Sequence, residues 1–287
     1  MSTAFVNGIT LGYDDVGSGG AEPLLLVHGH PFDRSMWQPQ LRADTGRRVI
    51  APDLRGYGAS DVVPGVTSLE TFARDLAALL DHLGIERAVL CGLSMGGQIV
   101  LEFHRLFPDR VAGLVLADTF AQGETPQGKK ERNDRAARLL REGMAGYAHE
   151  VLDSMVAPAN VAALPDVAAH VLRMMLAAPP EGAAAALRGR AERPDYTGTL
   201  GGVRVPTLVV VGRDDGFTPV SDAEYLHARI PGARLEVIEG AAHLPNLERP
   251  ADFNRALDRL LAAVSAGPAA RAGAAARSTA AADVTKH

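Results

Sequence analysis

The feature that most limits what this chain can become is an alternation of short apolar runs with longer amphipathic stretches. Leu24-Leu25-Leu26-Val27 is apolar without a break, as a strand covered on both faces must be. Arg47 to Pro52, Ala88 to Cys91, Val111 to Ala117, Thr207 to Val211 and Leu235 to Ile238 repeat the type. Upstream, Phe5 to Val6 and Ile9 to Val16 meet at Asn7-Gly8, a dipeptide that favours a tight hairpin. Between the runs, Leu69, Phe72, Leu76, Leu79, Leu80 and Leu83 recur at helical spacing, and Gly84 supplies a C-terminal stop. Strands alternating with helices predict an α/β fold, a mostly parallel sheet with helices on both faces.

Residues 119–200 break the alternation. They hold a charged helix, Lys129 to Arg141, then Ala- and Met-rich helical stretches punctuated by Pro158, Pro165, Pro179-Pro180 and Pro194. We read them as a helical insertion that divides an α/β core of residues 1–118 and 201–265. Residues 266–287 are Ala-rich with scattered charge and read as a disordered tail.

Composition narrows the function classes. The chain is 47% apolar and 22% charged, close to a globular average. Its net charge of −5 argues against the basic face of a nucleic-acid binder. An aromatic content of 5% argues against base-stacking platforms. No apolar run reaches the roughly 18 residues of a membrane helix, and no basic residue precedes Arg34 to start a secretory leader. Cys91 is the single cysteine, so neither an intrachain disulfide framework nor a thiolate zinc site is available. The expectation is a cytoplasmic protein without nucleic-acid or membrane partners.

One motif carries chemistry. Gly92-Leu93-Ser94-Met95-Gly96 is G-x-S-x-G, which chance alone would supply about 0.1 times in this chain. Its context is specific: a strand run ends at Cys91, and Met95 to Phe107 reads as a helix with Ile99, Val100, Phe103 and Leu106 on one face. A serine on such a turn is pushed off the sheet edge toward the first helical N–H groups. A hydroxyl needs a base. His243, in the loop after the last strand run, is the best placed of the nine histidines, because loops after parallel strands share one edge. The base needs an orienting carboxylate. Asp215, after the Thr207 to Val211 run, completes the chain order Ser94, Asp215, His243. Asp214 and Asp118 remain rivals for that role. The backbone N–H groups of Met95 and His30 are the candidate oxyanion donors, since Pro31 has none to offer.

These residues resemble the α/β-hydrolase family. The resemblance rests on His28-Gly29-His30-Pro31, Asp53-Leu54-Arg55-Gly56-Tyr57-Gly58, Gly92 to Gly97, Gly212 to Pro219 and Gly240 to Pro250. It implies an eight-stranded, mostly parallel sheet and a helical cap that coincides with residues 119–200. Two phrases look like the 3-oxoadipate enol-lactonase and carboxylesterase group: His28-Gly29 with Pro31, Asp33, Met36, Trp37 and Pro39-Gln40-Leu41, and His243-Leu244-Pro245-Asn246-Leu247-Glu248-Arg249-Pro250. Thr125-Pro126 also fits. His30 departs from the bulkier apolar residue common in such loops and sets a polar group at the pocket wall.

The expected activity is serine hydrolysis of a small-molecule carboxylic ester or lactone, which needs no metal or organic cofactor. Perhydrolysis, C–C bond hydrolysis, cyclisation and a ligand-binding receptor remain alternatives. Phe32, Trp37, Phe120, Phe217 and Leu244 flank the motifs and are candidate pocket residues. Met144, Met155, Met174 and Met175 read as helix packing, and Asp53 and Arg55 as turn and packing residues.

Overall fold

The structure is a computed structural model that describes residues 1–267. The tail expected over 266–287 lies outside the described residues from 268 onward. The strands are β1 (Ser2–Val6), β2 (Ile9–Val16), β3 (Leu24–Val27), β4 (Val49–Pro52), β5 (Ala88–Leu93), β6 (Val111–Ala117), β7 (Thr207–Gly212) and β8 (Arg234–Ile238). They form one eight-stranded sheet in the order β1-β2-β4-β3-β5-β6-β7-β8. β1 and β2 join antiparallel, β2 joins β4 antiparallel, and every later pairing is parallel. Every residue of β3, β5, β6 and β7 is buried. Successive side chains point to opposite faces, so both faces of the central sheet are covered. β1 starts three residues before the expected Phe5, because an edge strand is half-exposed and its first residues carry no apolar signal.

The helices are α1 (Gln38–Leu41), α2 (Leu69–His82), α3 (Met95–Leu106), α4 (Pro126–Glu142), α5 (Ala145–Met155), α6 (Pro158–Ala163), α7 (Pro165–Ala177), α8 (Pro180–Ala191), α9 (Val220–Arg229), α10 (Pro245–Glu248) and α11 (Pro250–Ser265). None is long and apolar enough to cross a membrane among the described residues. Helices α4 to α8 all lie between β6 and β7. Pro126, Pro158, Pro165 and Pro180 open α4, α6, α7 and α8, the position where a missing N–H costs nothing.

Helix α8 attaches the inserted helices to the sheet side. Residues 182–187 are all buried, so it has no solvent stripe. Thr67 donates its N–H to the Ala185 carbonyl at 3.0 Å. A Cβ at Gly189 would fall on the Thr67 carbonyl, and one at Gly182 on the Gly56 backbone. The helix therefore touches the core backbone to backbone. Gly189→Ala should lower the unfolding free energy by roughly 1–3 kcal/mol, the usual cost of overpacking. Urea denaturation measures this, and an unchanged midpoint would contradict the close contact.

Candidate active site

Parallel strands bring their C-terminal ends to one edge of the sheet, where ligands bind in folds of this kind. His28 to His30 follow β3, Ser94 follows β5, Asp118 follows β6, Asp215 lies beyond β7 and His243 beyond β8. Ser94 has φ 57° and ψ −115°, left-handed backbone that a residue with a Cβ rarely adopts. It sits at the N-cap position of α3, yet its hydroxyl makes no capping hydrogen bond. The turn is this sharp because Gly96 has no side chain: a Cβ there would meet the Val27 carbonyl.

His243 and Asp215 are joined. Nδ1 of His243 lies 2.8 Å from Oδ2 of Asp215. A carboxylate can only accept, so Nδ1 carries the proton and Nε2 is left as the acceptor. Oδ1 of Asp215 accepts from the N–H groups of Phe217 (2.8 Å) and Thr218 (3.2 Å), and the Thr218 hydroxyl donates to Oδ2. Burial alone would raise the Asp215 carboxyl. His243, Thr218 and the Phe217 N–H outweigh it and hold the carboxyl below the ordinary carboxylate range. Asp214 is exposed and makes no such bond.

Asp118 is buried beside this pair, and its Oδ1 accepts from the Gly212 N–H at 2.9 Å. Burial first, and the Asp215 charge second, push its carboxyl well above the ordinary range. Ligand atoms of Asp118, Asp215 and His243 lie within 4.8 Å of one another. Because burial favours the neutral form of Asp118 and the other two groups bond each other, the cluster suits proton placement better than cation binding.

The loop that carries His243 is braced from two sides. Glu248 accepts from Ala242 N (2.8 Å) through one oxygen and from Ala157 N (2.8 Å) and Asn160 Nδ2 (2.6 Å) through the other. Asn246 donates to the Met36 carbonyl at 2.8 Å, and Gln40 donates to the Asn246 carbonyl at 3.2 Å. The two sequence phrases that resemble one enzyme group are thus bound to each other.

Ser94 and His243 open into a cavity of about 170 Å³. Its wall also includes His30, Phe120, Phe217 and Thr218. The inserted helices contribute Arg132, Arg135, Tyr147, Met155, Leu187 and Arg190. Phe120 and Phe217 stand where expected. Phe32, Trp37 and Leu244 do not line the cavity; they are buried in the core, with Trp37 against Phe253 at 6.0 Å between ring centroids. Nearness in sequence to a motif does not set side-chain direction. Here Asp33 caps a short turn over Arg34–Trp37 that directs Met36 and Trp37 inward. Met155 is wall as well as packing, which corrects its expected role.

The arginines and Tyr147 escaped the sequence reading. Arg132 and Arg135 sit in a charged helix that looked like a solvated face, and Arg190 lies in an alanine-rich one. The run Gly182 to Ala191 holds Arg188 and Arg190 among mostly small residues, and nothing local says which of the two faces a cavity. His28, by contrast, holds the loop: Nε2 accepts from Leu54 N at 2.9 Å and Nδ1 donates to the Gly29 carbonyl at 2.8 Å.

Comparison with known proteins places this geometry. The family described as alpha/beta hydrolase fold matches residues 22–250. Over 255 residues the chain is 31% identical to 3-oxoadipate enol-lactonase 2 of Acinetobacter baylyi, covering 88% of this chain and 93% of that one. A thermophilic esterase from Thermogutta terrifontis, solved with malate bound, is 41% identical with a TM-score of 0.87, covering 92% of this chain and 98% of that one. The enol-lactonase of Burkholderia xenovorans LB400 is 30% identical with a TM-score of 0.84, covering 91% and all of that chain (100%). The chain belongs to the alpha/beta hydrolase fold family and is an enzyme of that family.

Proposed function

We propose that the protein is a serine hydrolase that cleaves a carboxylic ester or lactone of a small molecule through an acyl-enzyme. The observation that carries this reading is the Asp215–His243 pair opening into the same small cavity as the strained, uncapped Ser94. His243 Nε2 takes the Ser94 proton as Oγ bonds the carbonyl carbon. The N–H groups of Met95 and His30 receive the oxyanion. Collapse breaks the C–O bond, and the leaving oxygen takes the proton from His243. Water, deprotonated by His243, then attacks the acyl carbon, Ser94 regains its proton, and the acid leaves. Asp215 fixes the tautomer and stabilises the imidazolium. The scheme calls for no cofactor.

Residues 119–200 act as a cap on the core of residues 1–118 and 201–265. The support is that the wall facing Ser94 comes largely from α4, α5 and α8. The cavity is small beside ligand pockets of roughly 300–1,000 Å³, which favours a short substrate. A reducing cytoplasm fits the single buried Cys91, whose thiol burial pushes up.

Ser94→Ala should lower kcat on short p-nitrophenyl esters by roughly 10⁴–10⁶. A variant that keeps more than a tenth of the activity sinks the assignment. Asp118 gives a second expectation. It holds its proton more tightly folded than unfolded, so the folded state binds more protons. This group's contribution therefore falls as pH rises from about 4, the unfolded value, toward its raised folded value. D118N keeps the acceptor for Gly212 and removes the titration. Its stability relative to wild type should grow as the pH rises from about 4 toward neutrality. Denaturation midpoints that differ by a constant across that range would contradict the protonated Asp118.

A further inference from the structure

Four arginines gather around the cavity, and among the described residues only two of them pair with a carboxylate. Arg132 and Arg193 both pair with Glu124. Arg135 lies over the Tyr147 ring, 5.5 Å from its centroid, and has no carboxylate partner among the described residues. Arg190 is 7% exposed, lines the cavity, and has none either; its Nε donates to Gln98 Oε1 at 3.1 Å. Asp215 is occupied by His243. A guanidinium removed from water without a counter-ion is costly. Burial, reinforced by Arg132 and Arg193, pulls Arg190 well below the ordinary arginine range.

The other unpartnered groups here are donors too. Burial, with Arg190, Arg132 and Arg135 adding to it, depresses His30 well below the usual histidine range, so its ring is neutral. Tyr57, which burial keeps protonated, has its hydroxyl 2.8 Å from His30 Nδ1 and no other acceptor among the described residues, so the tautomer that satisfies both groups has the hydroxyl donating. In that tautomer the ring hydrogen is on Nε2, which has no partner among the described residues. Gln98 Nε2 has none either. A wall of unmatched donors and cations calls for an anionic, acceptor-rich ligand, and the planar fork of arginine suits a carboxylate.

We infer that Arg190, with Arg135 and Arg132 beside it, forms a carboxylate-binding subsite, so that the ester or lactone cleaved at Ser94 carries a free carboxylate. The inference rests on the reading of Ser94 as the nucleophile. Gln98 donates its backbone N–H to the Ser94 carbonyl and its side-chain oxygen accepts from Arg190 Nε, so Arg190 is bonded to a residue one helical turn along α3 from the reacting serine. Arg190 and Ser94 line the same cavity of about 170 Å³, so a short acyl chain that ends in a carboxylate is the form of substrate to test. α8, pinned to the core at Gly182 and Gly189, holds the guanidinium before substrate arrives, which limits the ordering cost of binding.

The test compares acid with neutral partner. Glutarate and glutaramide are titrated into wild type by calorimetry. In parallel, kcat/KM is measured for mono-p-nitrophenyl glutarate and p-nitrophenyl pentanoate. Glutarate should bind about 10- to 100-fold more tightly than the diamide, and the carboxylated ester should be preferred by a similar factor. Both ratios should fall at least about tenfold in Arg190→Met and by less in Arg135→Met. If R190M does not fold, the wild-type ratios and R135M decide. Ratios near one in wild type, with Ser94-dependent turnover of both esters, overturn the subsite and leave the hydrolase reading intact. Turnover of neither ester overturns the hydrolase reading, and the glutarate titration still decides the subsite. Inorganic phosphate binding more tightly than glutarate would overturn the choice of carboxylate.

Discussion

The backbone at Ser94 is the constraint on which the rest of the site depends. A non-glycine residue held at φ 57° and ψ −115° costs on the order of 1–3 kcal/mol. It persists because its surroundings fix it from several directions. Ser94 N bonds the Ala117 carbonyl at 2.9 Å, and Thr119 Oγ1 bonds the Ser94 carbonyl at 2.8 Å. Gln98 N bonds the same carbonyl and starts α3. Neighbouring strands β5 and β6 and the first turn of α3 thus determine one position. The strain turns the hydroxyl away from capping and into the cavity. Local geometry that would be a defect in a plain turn here sets a hydroxyl against the cavity.

Around that point the chain uses polar side chains as braces between distant segments. Glu248 ties the His243 loop to the start of α6, while Asn246 and Gln40 tie it to the segment after β3. Each is nearly or fully buried, and the hydrogen bonds of Glu248, Asn246 and Gln40 cross between segments far apart in the chain. The inserted helices are therefore coupled to the His243 loop through Asn160 and Glu248, and to the sheet side through the backbone contacts of α8. Asp118 lies buried beside Asp215 and His243, and burial together with the Asp215 charge pushes its carboxyl toward the neutral form.

The fold was legible because burial on both faces leaves an unbroken apolar run, and β3 to β7 write that run into the sequence. Ser94, Asp215 and His243 were legible for a related reason: once the strands are parallel, residues just past their ends must share an edge. Side-chain direction within loops was not legible. Phe32, Trp37 and Leu244 flank the motifs and face the core, while Phe120 and Phe217 face the cavity. The wall supplied by α4, α5 and α8 stayed hidden because helix contacts across the molecule have no local signature. An arginine at position 190 reads as surface until α8 proves to be buried all round. The close contacts of Gly182 and Gly189 were hidden for the same reason.

The central claim is that Ser94 is the nucleophile of this hydrolase fold. The most direct measurement is reaction with a fluorophosphonate followed by peptide mass spectrometry. A single phosphonyl group on the peptide containing Ser94, with no adduct in the presence of the Ser94→Ala change, is the result this structure predicts. Labelling at another serine, or none at a concentration that saturates other serine hydrolases, would contradict it.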